Sequence, residues 1–155
     1  MDTPSPEISD LDATDPAIYR SWREDSVRFN DLDPLWHLTS TAFMVMFETA
    51  RILFVRTAGQ ASQVDPVGWM LVNGNITYLS QVHFPSTVKI GTRVQRLGRS
   101  SVTTVQGMFN GDRCAATLVT TLVLVDRDLD RSTPLPDDLK RHLQILSDTG
   151  SLSAD

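Results

Sequence analysis

The feature that most constrains this chain is a helical pattern from about residue 39 to residue 58 that is apolar on almost every side. Large apolar side chains recur at helical spacing and also fill the other faces: Phe43, Met44, Val45, Phe47, Ala50, Ile52, Phe54 and Val55. A helix at the surface of a globular protein needs only one apolar stripe, whereas a helix without a polar face must be covered all round. The pattern therefore predicts one central helix wrapped by the rest of the chain.

An acidic turn precedes this helix. Pro34 lacks a backbone donor and disfavours the α region for the residue before it, so Asp31 and Asp33 are expected in a turn. Thr39 and Ser40 are both good N-caps, because a side-chain oxygen there accepts from a free amide of the first helical turn. The sequence thus predicts two carboxylates at the amino end of the central helix.

The period changes to that of strands on both sides of the helix. Residues 22–29 predict a first strand, and Gly59 is predicted to end the helix as its C′ residue, because glycine tolerates a positive φ. The turn signal Asn110-Gly111 suits a type I′ hairpin. β-branched residues and partial alternation predict four further strands, over residues 69–79, 87–97, 101–109 and 113–125.

A short helix over residues 137–146, begun by Pro136, completes an α+β order of strand, long helix, four strands and short helix. Consecutive tight turns require an antiparallel sheet, and that sheet must curl around the apolar helix. We expect residues 1–18 to be a disordered or loosely ordered lead-in, residues 19–146 to be the folded domain and residues 147–155 to be a polar tail. Since one sheet cannot cover a helix on every side, a second copy is expected, in a homodimer or homotetramer.

Charge and cysteine content argue against several other classes. The net charge of −5 disfavours nucleic acid as a partner. Cys114 is the single cysteine, so no internal disulfide is possible, and the three histidines lack paired ligand spacing, so no metal is expected. The acidic start does not resemble a signal peptide, and no long apolar run is uninterrupted. These features predict a cytoplasmic protein without a membrane partner.

Two motifs surround the start of the central helix: Arg28-Phe29-x-Asp31-x-Asp33-Pro34-x-x-His37, then Phe43 and Phe47-Glu48-x-Ala50-Arg51. Later positions continue the series: Tyr78, Gly98-Arg99-Ser100-Ser101 and Thr133-Pro134-Leu135-Pro136. In order and spacing these motifs resemble hotdog-fold acyl-CoA thioesterases of the 4-hydroxybenzoyl-CoA thioesterase type. The resemblance implies a long helix wrapped by a curved antiparallel sheet of about five strands. It also implies hydrolysis of an acyl-CoA to a free acid and coenzyme A, with no cofactor.

Asp33 is the main candidate for chemistry. From the residues alone, Asp31 and Asp33 either form an Asx-type turn that stabilises the helix start or include a catalytic carboxylate. The resemblance implies that Asp33 is the nucleophile or general base and that Asp31 holds the turn. Free amides in the first helical turn, around Thr39, Ser40 and Thr41, are suited to polarise a thioester oxygen. The resemblance implies this role for the amide of Ser40.

Three further positions near the helix leave alternatives open. His37 either orients water or hydrogen-bonds Asp33, or closes the loop as a structural residue. Glu48 is either a second carboxylate near the site or the i,i+3 ion partner of Arg51. Many members of the resembled family have glycine where this chain has Trp36, which implies a narrower acyl pocket or a shifted loop.

The resemblance also implies that Arg99 contacts the phosphates of coenzyme A, with Arg96 and Ser100 as companions. For Arg96 a solvated strand face is the alternative. The segment His83-Phe84-Pro85 is similar to the histidine loop of hotdog dehydratases but lacks the glycine-proline continuation, so it is read as coincidence. Two other functions stay open: a hotdog-fold hydratase or dehydratase, and an acyl-CoA-binding hotdog protein without turnover.

Overall fold

The computed structural model describes residues 11–63, 68–126 and 128–152. Two helices and six strands follow one another along the chain: β1 (Ser21–Ser26), α1 (Ser40–Ala61), β2 (Trp69–Tyr78), β3 (Thr87–Leu97), β4 (Ser101–Asn110), β5 (Arg113–Asp126), β6 (Arg131–Ser132) and α2 (Asp137–Thr149). Short 3-10 turns, Pro16–Ile18 and Phe29–Asp31, lie before and after β1. The expected hotdog arrangement of one long helix and an antiparallel sheet is confirmed.

The strands form one antiparallel sheet in the order β1-β3-β4-β5-β2, and the two-residue strand β6 pairs with β5. β1 and β2 are therefore the two edges, and each pairs with one neighbour only within the described residues. The acidic turn follows β1 and leads into α1. This order places the start of α1 between the two edges of the sheet.

α1 packs on the inner face of the sheet through two apolar clusters. The cluster around the first half of α1 includes Phe43, Phe47, Ile90 and Leu118, all buried. The cluster around its second half is closed by α2 and includes Phe54, Val55, Leu122, Leu139 and Leu143. Each large side chain removed from water contributes roughly 1.5–3 kcal/mol, so burial of this helix is the main stabilising term of the core.

A layer of buried polar side chains lies between the two clusters, formed by Arg51, Thr92, Thr104, Gln106 and Thr120. The amide nitrogen of Gln106 donates to the backbone oxygen of Phe47 at 3.1 Å and to the hydroxyl oxygen of Thr92 at 3.0 Å. Thr104 and Thr120 share a hydroxyl hydrogen bond of 2.9 Å. Through Gln106 this layer ties the backbone of α1 to β3 and β4, while Oε1 of Gln106 and two nitrogens of Arg51 have no partner among the described residues.

The prediction that Gly59 ends the helix is wrong. α1 continues to Ala61, and Ser62 is its C-cap residue, with its amide donating to the oxygen of Ala58. Gly59 is buried inside the last turn. The hydroxyl of Ser62 also lies 2.7 Å from a ring nitrogen of His142 on α2. Packing against α2 therefore extends the helix past the position where glycine alone suggests a stop.

The predictions for the turn between β4 and β5 and for the end of the second helix also differ from the structure. β4 and β5 are joined by Gly111 and Asp112, and only Gly111 has a positive φ, of 60°. A positive φ at the first central residue alone is the pattern of a type II′ turn rather than type I′. The second helix runs to Thr149 and ends at Gly150, whose φ of 78° suits glycine. Ser147, expected in the tail, is buried and accepts a hydrogen bond of 2.9 Å from the amide of Val94.

Ala13 and Ile18 of the expected lead-in pack beside Tyr19, the first residue of the expected domain, on the outer face of the sheet. The ring of Tyr19 is buried over Gly91 and Gly107, which are paired in register on β3 and β4. A Cβ atom at either glycine would collide with Tyr19. Its hydroxyl donates to the backbone oxygen of Ala13 at 2.8 Å. Residues 1–10 and 153–155 lie outside the described residues.

Tyr19→Ala is expected to lower the free energy of unfolding by about 3–5 kcal/mol, because it removes a buried aromatic ring and leaves a cavity. Tyr19→Phe keeps the ring and loses one hydrogen bond, which costs about 0.5–1.5 kcal/mol. Urea unfolding of the two variants measures the difference. Equal losses for both would show that the ring does not anchor the residues before β1.

Candidate active site

The acidic turn is closed by its own backbone. The amide of Asp33 donates to the oxygen of His37 at 2.8 Å, and the amide of Trp36 donates to the oxygen of Asp33 at 2.9 Å. Leu32 and Leu38 form an isolated antiparallel bridge at the base of this loop. The turn is therefore a small, fully bonded loop that holds its side chains in fixed positions.

Asp31 holds the entry to the turn. Its Oδ2 accepts from the backbone amide of Arg28 at 2.9 Å and from the Nε of the same arginine at 3.3 Å. Its backbone oxygen accepts from the amide of Thr39 at 2.8 Å. These contacts match the role that the resemblance implies for Asp31, which is to join the end of β1 to the start of α1.

The two oxygens of the Asp33 carboxylate have different surroundings. Oδ1 accepts from the backbone amides of Leu35 at 2.8 Å and His37 at 3.0 Å, which is an Asx-type turn. Oδ2 makes no hydrogen bond with the part of the chain that the structure describes. The structural and the catalytic interpretations of Asp33 are therefore compatible, since one oxygen anchors the carboxylate and leaves the other available to a substrate.

Asp33 lines a pocket of about 390 Å³ at the amino end of α1. The turn and α1 contribute His37, Leu38, Ser40 and Phe43, and the chain after β2 contributes Tyr78, Leu79, Ser80 and Gln81. The ring of Tyr78 lies edge-on to Phe43, with centroids 5.3 Å apart. We refer to this cavity as the Asp33 pocket.

Free amides of α1 are available at the Asp33 pocket. Thr39 is the N-cap: its Oγ1 accepts from the amide of Ala42 at 3.1 Å, and its backbone oxygen accepts from Phe43 at 3.1 Å. The amides of Ser40 and Thr41 have no acceptor among the described residues. Amides at a helix start carry partial positive charge and bind anionic oxygens. The pocket thus brings the predicted oxyanion donor, Ser40, together with Asp33.

His37 meets Asp33 through its backbone rather than through its ring. Its ring lines the Asp33 pocket and lies against the ring of His83, with centroids 5.1 Å apart. The two residues also form an isolated backbone bridge. His83 thus contacts a residue of the Asp33 pocket but does not itself line that pocket.

Trp36 adopts a left-handed backbone conformation, with φ of 65°. A side chain in this region costs roughly 1–2 kcal/mol, which glycine avoids. The indole is 62% exposed and does not line the Asp33 pocket, so it does not narrow that cavity. It lies edge-on to Phe29 at 5.7 Å, and Phe29 lies edge-on to Phe84 at 6.0 Å. We call Trp36, Phe29 and Phe84 the aromatic row.

Glu48 and Arg51 differ in burial. Glu48 is exposed on α1 and does not line the Asp33 pocket, whereas Arg51 is 1% exposed. The ion pairs of the described residues do not include this pair. Burial lowers the pKa of Arg51, and the charge of Glu48 partly offsets that effect. The Nε and Nη1 atoms of Arg51 have no hydrogen-bond partner in the described part of the protein.

The predicted phosphate-binding residues lie far from Asp33 within one protomer. Arg96 and Arg99 are exposed near the turn between β3 and β4, where the oxygen of Ser100 accepts from Leu124. The other end of β3, at Thr87, pairs with Ser26 beside the acidic turn. The rise along β3 between these ends is about 30 Å. A single protomer therefore does not bring Arg99 and Asp33 into one site.

Sequence reasoning missed the side chains that the chain after β2 brings to the site. Ser80 and Gln81 carry no local motif, and their place depends on where β2 ends. Phe84 is a member of the aromatic row only because the turn before β3 lies beside Phe29. Cys114 is half-buried, and burial raises the pKa of its thiol.

Comparison with known proteins gives a family. Residues 27–143 match the model of the thioesterase-like superfamily. A thioesterase from Thermus thermophilus, complexed with coenzyme A and zinc, is 24% identical, with a TM-score of 0.75 over 88% of this chain and 98% of that chain. The PA5185 protein from Pseudomonas aeruginosa is 28% identical, with a TM-score of 0.72 over 82% and 91% of the two chains. DHNA-CoA thioesterase from Staphylococcus aureus is 21% identical, with a TM-score of 0.70 over 86% and 96%.

A search of curated proteins finds no significant sequence match. Among the described residues, no helix has the length and apolar character needed to cross a membrane.

The strain at Trp36 predicts an unusual order of stability. Trp36→Gly and Trp36→Ala both remove the indole, but only glycine relieves the left-handed backbone. We expect the Gly variant to be more stable than the Ala variant by about 1 kcal/mol, the reverse of the usual order in regular structure. Urea unfolding of the pair measures this difference. A more stable Ala variant would show that the backbone at position 36 relaxes.

Proposed function

The chain belongs to the thioesterase-like superfamily, and on that premise we propose that it hydrolyses an acyl-CoA to a free carboxylic acid and coenzyme A. The family confirms the expected class of enzyme, a thioester hydrolase. The observation that carries the proposal is the Asp33 pocket, where an unbonded carboxylate oxygen lies in the same cavity as the start of α1. The coenzyme A in the Thermus thermophilus relative and the CoA thioester in the name of the Staphylococcus aureus relative support CoA as the carrier.

Asp33 and the helix amides suit the two demands of thioester hydrolysis. Acting as a general base, Oδ2 of Asp33 takes a proton from water while the water oxygen bonds to the thioester carbon. The carbonyl electron pair moves to its oxygen, which accepts from the amides of Ser40 and Thr41. The carbonyl double bond then re-forms and the carbon–sulfur bond breaks. The thiolate takes the proton from Asp33 as coenzyme A leaves. One oxyanion donor of this kind is worth about 2.7–4 kcal/mol.

The other course is direct attack by Oδ2 on the carbonyl carbon. The carbon–sulfur bond then breaks, the coenzyme A thiolate leaves, and water hydrolyses the mixed anhydride to the free acid and the Asp33 carboxylate. Both courses need the same orientation of the carboxylate. The two amides that hold Oδ1 supply that orientation, because they leave the carboxylate one position in the turn. To His37, which lines the pocket, we assign the role of orienting the water.

Self-association is the second part of the proposal. The outer edge of β2 is unpaired in the described protomer, and Met70, Leu71 and Val72 on it are exposed. Val45 and Ile52 are also exposed on α1. An open apolar edge of this kind is a template for a further strand. We infer a homodimer in which two copies of β2 pair antiparallel about a two-fold axis.

In this dimer the basic residues that lie far from Asp33 within one protomer lie near the Asp33 pocket of the other. Antiparallel pairing of the two β2 edges places the far end of one sheet beside the Asp33 end of the other. Arg99 of the partner subunit then lies on the side of the Asp33 pocket that faces β2. Arg96 and Ser100 of the same turn accompany it as contacts for the phosphates of coenzyme A, which carry the negative charge that arginine binds best.

Asp33→Asn is expected to lower kcat by about 10²–10⁴-fold with little change in Tm. The Asn oxygen still accepts from Leu35 and His37, so the turn is preserved while the base is lost. Thiol release from a panel of acyl-CoAs measures the effect.

Asp31→Asn is the matched control, since it removes a charge beside the same helix end. It is expected to lower Tm through the weakened contact with Arg28 and to retain most of the turnover. Near-wild-type hydrolysis by Asp33→Asn would place the active site elsewhere. If the wild-type protein binds acyl-CoA without releasing thiol, it is a binding module rather than a hydrolase.

Mixed dimers test the contribution of Arg99. Arg99→Ala alone should raise KM with little change in kcat, because a phosphate contact binds substrate and transition state alike, and the effect should fade at high salt. A dimer of one Asp33→Asn chain and one Arg99→Ala chain contains one site with Asp33 intact and Arg99 supplied by the partner. That site should show the wild-type KM. The raised KM of Arg99→Ala in the mixed dimer would mean that Arg99 serves its own subunit.

A further inference from the structure

We propose that Trp36 determines acyl specificity, and that the aromatic row binds the apolar acyl group of the substrate. This inference rests on the proposed function and names the class of acyl group: an apolar chain or ring larger than a few carbons. The three rings of the row are at 60%, 62% and 45% exposure for Phe29, Trp36 and Phe84. Leu35, beside them in sequence, is exposed as well. Large contiguous apolar surface on a protein marks a binding site.

Packing does not account for a tryptophan at position 36. The backbone there has the left-handed φ that favours glycine, and the indole is mostly in water. Its ring contact with Phe29 offsets only part of both costs. Residues with a strained backbone are concentrated at sites where their side chains are needed for function. At position 36 that function is contact with a ligand.

The row is coupled to the catalytic carboxylate through short backbone contacts. The oxygen of Asp33 accepts from the amide of Trp36, and Oδ1 of Asp33 accepts from the amides of Leu35 and His37, the two residues beside it. The same four residues thus fix both the carboxylate and the indole. The turn therefore holds the carboxylate and the residue that carries the indole in fixed positions relative to each other.

The row and the Asp33 pocket lie on opposite sides of the turn. Phe29 follows β1 and Phe84 precedes β3, so the row lies on the β1 side of the sheet. Tyr78 and Leu79 place the Asp33 pocket at the end of β2, which is the other edge. A thioester has two arms that leave its carbonyl in opposite directions. One arm therefore follows the pocket towards β2 and the other follows the row.

Charge determines which arm of the thioester binds at the aromatic row. On this side Asp31 is bonded to Arg28 and Glu24 is paired with Lys89. Asp25 and Asp33 remain as carboxylates without an ion pair among the described residues. The phosphates of coenzyme A are polyanionic and are repelled by such a surface. An apolar acyl group is not repelled by that charge, and its contact with the aromatic rings is favourable. The coenzyme A arm accordingly follows the pocket towards β2.

The test is the ratio of kcat/KM for decanoyl-CoA to that for acetyl-CoA. We expect Trp36→Gly and Trp36→Ala both to lower this ratio by at least about tenfold, since apolar contacts of this size set discrimination of about 10–200-fold. Leu129→Ala is the control, because Leu129 is as exposed and apolar but lies in the turn before β6. Its ratio should equal that of the wild type. Trp36→Gly should keep its Tm or raise it by about 2–4 °C, which excludes unfolding as the cause.

Binding of S-decyl-CoA, a thioether that is not hydrolysed, compared with binding of coenzyme A, gives a second measurement. Both Trp36 variants should lose the preference for the decyl compound by the same factor as in turnover. If no acyl-CoA is hydrolysed by the wild type, the proposed function fails, and this comparison still decides the role of the row. An unchanged decyl preference in both folded variants overturns the inference. An equal loss for acetyl-CoA and decanoyl-CoA also overturns it, because Trp36 would then only position the loop.

Discussion

Burial of α1 is the constraint on which the rest of this structure depends. Because the helix is apolar on most sides, the sheet must lie along its whole length, and α2 must close its second half. In the first turn of α1 the amides of Ser40 and Thr41 have no acceptor among the described residues, because the chain enters the helix there from the acidic turn. The candidate site is consequently located at the helix start by the same requirement that builds the core.

Asp33 shows how one residue serves stability and chemistry together. Its Oδ1 accepts from two backbone amides of the turn, its Oδ2 has no hydrogen-bond partner in the described chain, and the residue lines the pocket. Such a division explains why the sequence allowed two interpretations of the same aspartate. Neither interpretation excludes the other, because each uses a different oxygen.

The sequence predicted the features that depend on neighbouring residues. It failed for the features that depend on packing against segments distant in the chain. The start of α1 at Thr39, the limits of β3 and the family resemblance around Asp33 all follow from neighbouring residues. Gly59 did not stop the helix because α2 packs against that turn, and Ser147 was assigned to a tail because its partner, Val94, lies on a strand far along the chain. The aromatic row could not be anticipated, since Phe29 and Phe84 meet only after β1 and β3 pair.

The position of α1 in the chain has a consequence for folding on the ribosome. Of the strands that cover the helix, only β1 precedes it, and β2 to β5 are made afterwards. A nascent chain that has just released α1 therefore carries an apolar helix whose cover has not yet been synthesised. Native contacts of β1 with β3, and of Tyr19 with Gly107, also wait for residues made much later. Such non-local pairing is slow and leaves hydrophobic surface open to aggregation. The order of elements therefore leaves this nascent helix open to aggregation until β2 to β5 have been synthesised.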